Sequence, residues 1–112
     1  MTEQRFDQLL DVLERCMTAC EICASELLDS TNAREYQRCI ELSRDLADIC
    51  GSTARFVARG SEFKDRYLSL CATACKECKD ECRKVSVSTA QHCADVCHEC
   101  HLACVLIAQV DL

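Results

Sequence analysis

Along almost the whole chain, apolar residues recur at steps of three and four, the spacing that lines up one face of an α-helix. Phe6, Leu9, Leu10, Val12, Leu13 and Cys16 open the first such run, which predicts a helix over about 3–28. Asp29-Ser30-Thr31-Asn32 reads as a turn, and Asn32 with Glu35 as the capping box of a second helix over about 33–59, closed by Gly60. Ser61 caps a third helix over about 62–84, with Glu62 and Asp65 in a first turn that favours negative charge. Val85-Ser86-Val87-Ser88 is a short link, and Ser88 with Gln91 forms a second capping box for a helix over about 89–110. The chain has no proline and only two glycines. Four helices of this length, joined by roughly two to five residues, can only double back on one another. The expected fold is all-α, an up-down-up-down antiparallel four-helix bundle making one domain of residues 1–112.

The apolar faces themselves are unusual, because so many of their positions are cysteine. The third helix carries Cys71, Cys75, Cys78 and Cys82, and the fourth repeats the same spacing with Cys93, Cys97, Cys100 and Cys104. At about 100° per residue, such positions fall within roughly 60° of one another and rise ~16 Å along the helix, a single inward stripe. The first helix keeps the frame with its last place changed (Cys16, Cys20, Cys23, Leu27), and the second keeps the two ends (Cys39, Ser43, Leu46, Cys50). If facing helices run level, the stripes form four layers: Cys16, Cys50, Cys71 and Cys104; Cys20, Leu46, Cys75 and Cys100; Cys23, Ser43, Cys78 and Cys97; Leu27, Cys39, Cys82 and Cys93.

Beyond the all-cysteine layer the helices continue as Leu9, Val12 and Leu13, then Ala54, Phe56 and Val57, then Phe63 and Tyr67, then Ile107 and Ala108. This is expected to be a conventional hydrophobic plug that lets the bundle fold unaided. The opposite end, with Asn32, Ser86, Ser88 and His92, is the expected mouth, and His92, next to Cys93, is a candidate uptake ligand for a metal. His98 and His101 lie about 100° off the stripe, at a seam or on the surface. Met17 reads as packing.

Composition sharpens this reading. Thirteen of the 112 residues are cysteine, so a hydrophobic fraction of 49% overstates the ordinary core. No run of ~18 apolar residues marks a membrane span. The first residues mix charges through their apolar positions, unlike a secretory signal. A net charge of −6 argues against nucleic acid, whose phosphates nothing here would neutralise. Reduced thiols fit the cytosol, and an odd cysteine count fits poorly with a disulfide framework. Residues four apart on a helix also hold their Cβ atoms about 5.5–6 Å apart, beyond disulfide reach.

One free cysteine packs as a small hydrophobe, but a stripe of them on every helix does not arise from packing. Thiolates select soft ions: Cu(I), zinc or iron–sulfur clusters. Zinc sites usually close a tetrahedron of four ligands carried on loops, and clusters are wrapped by loop-borne cysteines. Cu(I) accepts two sulfurs, which a CxxxC pair on one helix supplies. One Cu(I) per bridging thiolate leaves a neutral core, whereas an isolated tetrathiolate zinc site carries −2 into a low-dielectric interior. Zinc–thiolate storage and an iron–sulfur or redox protein remain the alternatives to Cu(I) storage. None of these readings requires a catalytic residue, and the protein is expected not to be an enzyme.

The repeated units Cys71-x₃-Cys75-x₂-Cys78-x₃-Cys82 and Cys93-x₃-Cys97-x₂-Cys100-x₃-Cys104 resemble the bacterial copper storage proteins, cysteine-rich four-helix bundles, over nearly the whole chain. The resemblance implies a cytoplasmic Cu(I) store, a homotetramer, with several Cu(I) ions held inside each bundle. Ser43, Leu46 and Leu27 depart from a fuller cysteine complement and imply fewer sites than in the richest members.

Overall fold

The computed structural model describes the backbone of residues 2–111 and the side chains of residues 6–108. Four helices, α1 (Thr2–Leu28), α2 (Gln37–Ala58), α3 (Lys64–Cys82) and α4 (Ser88–Asp111), run alternately up and down in a bundle 47 × 18 × 18 Å. Each helix packs on its two neighbours, α1 on α2, α2 on α3, α3 on α4 and α4 on α1. No helix among the described residues is long and apolar enough to cross a membrane.

Two of the expected caps are replaced by other devices. Asn32 and Glu35 do not start α2. Instead, Ala33 N donates to Ser30 O, Glu35 N to Asn32 O and Tyr36 N to Ala33 O, at 3.3, 2.9 and 3.1 Å. These i→i+3 turns satisfy the backbone donors that a side-chain cap would have taken, and α2 starts four residues late, at Gln37, with no side-chain cap. Gln91 does not reach back to Ser88 either. Its Nε2 donates to Val85 O at 2.6 Å, and to Cys82 O and Arg83 O at 3.4 Å, so it serves the unpaired carbonyls at the end of α3.

The turn after α2 follows its expected chemistry. Gly60 has φ 64°, a left-handed conformation that costs glycine little. Ser61 N donates to Phe56 O at 2.9 Å and Gly60 N to Val57 O at 3.1 Å, the bond pair of a Schellman motif. Ser61 Oγ then accepts from Phe63 N at 3.0 Å, and α3 begins at Lys64, two residues later than its spacing predicts.

The plug exists, but aliphatic side chains make it. Leu9, Val12, Leu13, Val57, Leu68 and Ile107 are buried, together with Thr53, whose Oγ1 donates to Ile49 O at 2.7 Å. The aromatics flank this core. Phe56 stacks on Tyr67 with centroids 4.3 Å apart, Arg59 covers the Phe56 ring, and Phe63 is 46% exposed rather than buried. On the surface, Arg15 of α1 holds Glu99 of α4 through two hydrogen bonds of 2.7 and 3.1 Å. Both side chains are well exposed, so this clamp contributes less than about 1 kcal/mol.

Candidate metal centre

Helical spacing brings every cysteine inward, and all thirteen are free and buried. Their sulfurs form a continuous column. Along one helix, Cys71 and Cys75, Cys78 and Cys82, and Cys93 and Cys97 have Sγ atoms 4.0, 3.8 and 3.9 Å apart. Across helices, Cys39–Cys82, Cys20–Cys93, Cys50–Cys71 and Cys16–Cys97 are 3.4, 3.7, 3.8 and 4.0 Å apart.

The level layers are not what these contacts build. Facing α2 and α3 meet as their register predicts, with Cys39 on Cys82, Ser43 on Cys78 and Cys50 on Cys71. Helix α1, however, lies one cysteine step along. Cys16 groups with Cys50, Cys75 and Cys100, where Cys71 and Cys104 were expected, and Cys20 groups with Cys78, Cys93 and Cys97. Cys23 joins Cys82 and Cys93, and Cys71 joins Cys100 and Cys104. Within each of these four groups all the sulfurs lie within 4.8 Å of one another. The cause is interdigitation. Side chains of packed helices sit between those of the neighbour rather than opposite them, and the stagger collects at α1–α4, the neighbouring pair that no loop joins.

There are thus two quartets where level layers gave one. Ser43 fills a cysteine place in the frame and is fully buried, with its Oγ 3.6 Å from the sulfur of Cys78 and 3.9 Å from those of Cys23 and Cys82. Its position four residues after Cys39 is the sequence signal for this placement. Leu46 and Leu27 are equally buried spacers. Among the described residues, Ser43 and Thr53 are the buried polar side chains, and no Lys or Arg is buried. The column therefore has no fixed cation to balance excess negative charge.

The sulfurs ionise unequally because they share hydrogen bonds. Cys16 and Cys71, bonded first by Cys100, and Cys78, bonded first by Cys20, have stabilised anions and are held below the ordinary thiol range. Cys20 beside Cys16, Cys75 beside Cys100 and Cys82 beside Cys23 are held above it, and burial adds to the effect. Cys39 is pushed up to about 12, first by the hydrogen bond it shares with Cys23.

The histidines stay outside the column. His92 is exposed and lines a side groove between α1 and α4 with Arg15, Thr18, Ile22 and Thr89. It does not sit on the bundle axis. His98 is exposed, and His101 lies at the α3–α4 seam, where Nδ1–H donates to Ala72 O at 2.8 Å. No histidine joins a sulfur group among the described residues. Met17 packs against the core beside Gly51 and joins no sulfur group. The expected mouth is also covered. Asn32, Ser86 and Ser88 are exposed, but Leu27 and Val85 are buried, and Ala33 and Tyr36 pack against the core.

A family model described as copper storage protein matches residues 2–109. The chain belongs to the copper storage protein family. Its fold is shared by other members at low sequence identity. The Cu(I)-bound copper storage protein BsCsp3 superposes with a TM-score of 0.89 at 30% identity, covering 93% of this chain and 98% of its own. A cytosolic copper storage protein from Streptomyces lividans, solved with five coppers, gives a TM-score of 0.91 at 28% identity, covering 95% and 93%. An uncharacterised cysteine-rich protein of Bacillus subtilis, YhjQ, is 31% identical over 102 residues, 91% of this chain and 94% of that protein.

Proposed function

We propose that this chain stores several Cu(I) ions on the thiolates of its bundle core, without turnover, and that it does so in the cytosol. The observation that carries this reading is the grouping of sulfurs into two quartets and two trios in a core without buried cations. Cu(I) bridged by thiolates in equal number leaves that core neutral, and adjacent groups share Cys93 and Cys100, so one site can extend into the next. All thirteen cysteines are proposed ligands, with His92 as an outer uptake ligand at most.

Self-association into a homotetramer is part of the proposal. Leu102 and Leu106 form an outward row on α4 and are 54% and 59% exposed. Two large apolar side chains one turn apart on the outer face of α4 suit a second copy of the chain.

Each quartet also has the ligand count of a zinc site, which keeps zinc as a second reading. Charge separates the two, since a tetrathiolate zinc adds −2 to a core with nothing to offset it. Elemental analysis of protein purified from copper-supplemented cells tests the choice. Copper in large excess over zinc and iron is expected. Retained zinc that Cu(I) does not displace, or visible iron–sulfur colour, contradicts it.

Loading is also expected to depend on pH. Cys39, pushed up to about 12, keeps its proton through the neutral range, and Cu(I) must displace it. Apparent affinity measured against a chelator should therefore tighten between about pH 6 and about pH 8. Equal affinity at both would remove proton displacement from the account. In the metal-free chain the same raised value contributes stability below the ordinary thiol value of 9.0, and that contribution is lost as pH climbs towards about 12.

A further inference from the structure

Twelve of the thirteen cysteines belong to a quartet or a trio, and Cys39 belongs to none. It is also set apart in two other ways. It is 3% exposed while every other cysteine is 0% exposed, so it is the cysteine least sealed from solvent. Its Sγ lies 3.4 Å from that of Cys82, the shortest sulfur contact recorded in the core, and Cys82 in turn belongs to the trio with Cys23 and Cys93. Cys39 sits in the first turn of α2, directly after the 29–36 turn segment and next to the Tyr36 cover.

We propose that Cys39 and Cys82 form a transfer pair, through which Cu(I) passes from a small thiol complex outside into the Cys23–Cys82–Cys93 trio. This deepens the storage reading and rests on it. A sulfur that meets one member of the trio at 3.4 Å and lies outside the trio itself is placed to hand an ion on to it. The step is ligand exchange at constant oxidation state. Cu(I) arrives held by two small thiolates. A Cu–S bond forms to Cys39 as one bond to the carrier breaks, and the Cys39 proton leaves on the departing thiolate. Cys82 displaces the second carrier thiolate in the same way. Cys23 or Cys93 then bonds the ion, the bond to Cys39 breaks, and the proton from the incoming thiol returns to Cys39. Cys39 is then free for the next ion, which Cys82, still bonded to the first, takes up as a bridging thiolate. Copper stays Cu(I) throughout, and no oxidant or reductant is needed.

The account separates rate from capacity. Anaerobic loading from Cu(I)–glutathione, followed by ultraviolet sulfur-to-copper absorption, should slow by roughly tenfold or more in Cys39→Ser, because a hydroxyl is a poor ligand for a soft ion. Capacity should fall by no more than one ion. Cys104→Ser, in the trio at the far end of the column, should lose similar capacity and slow loading far less than Cys39→Ser does. Equal loading rates for the two variants, or a native rate in Cys39→Ser, would overturn the transfer pair. If either serine variant loses helix content by circular dichroism, the alanine variant at the same position carries the same comparison. A native chain that takes up only one or two ions sinks storage itself, whereas a native chain that fills while Cys39→Ser fills equally fast sinks only this inference.

Discussion

Saturating the reduced bundle with Cu(I) is expected to raise its melting temperature by tens of degrees. A site held at about 100 times its dissociation constant adds ~2.7 kcal/mol to the folded state when the unfolded chain binds nothing. A domain of this size has a total stability of only about 5–15 kcal/mol, so a few such sites rival everything else in the fold. Each ~1 kcal/mol moves the melting point of a chain near this length by about 4–8 °C. Copper ligated by unfolded cysteines reduces the gain, but that chain cannot hold sulfurs from four helices within 4.8 Å. Calorimetry of the metal-free and loaded forms measures the difference directly. An unchanged melting point would mean that the sulfur column is a packing device, not a binding site.

The second large effect concerns what holds the metal-free chain together. Leu13 is fully buried in the aliphatic plug, and Leu13→Ala is expected to cost about 2–5 kcal/mol through lost burial and the cavity it leaves. Cys75→Ser, in the Cys16–Cys50–Cys75–Cys100 quartet, should cost the metal-free form less and cost copper binding more. Denaturant melts of the two metal-free variants, paired with their copper contents, resolve the roles. Should Leu13→Ala fold normally while Cys75→Ser unfolds, the thiols themselves would be the structural core and the plug would be secondary.

The stripes were legible because inward positions on a helix repeat with a period the sequence displays openly, and cysteine at thirteen of sixteen frame places is hard to mistake. The order of the helices followed from their length and the short connections between them. The register of α1 was not legible. It depends on how side chains interdigitate across the α1–α4 seam, and no single helix carries that information. Level layers therefore conceal the second quartet and the place of Cys39 outside the four groups. The caps at Asn32 and Gln91 misled for a related reason: a short polar motif states what a side chain is able to bond, while the loop around it decides which backbone groups need a partner. At the plug, weight given to aromatics passed over Leu68, and Phe63 lies outside the packed interior although its spacing fits the apolar face.

The chemistry was better preserved than the register. Thiolates facing one axis, with no cation among them, favour a soft monovalent ion whichever sulfurs meet. What the structure adds is grading along the column, from the fully buried Cys71–Cys100–Cys104 trio at the plug to Cys39, the cysteine least sealed from solvent, at the other end. That grading gives the store a direction.

The central claim is that these sulfurs are ligands in bulk, and stoichiometry tests it most directly. Anaerobic titration of the fully reduced chain with Cu(I), against a chelator of known affinity, should reach about 13 ions per chain, one for each sulfur when thiolates bridge two-coordinate copper. Saturation at one or two ions would contradict storage outright.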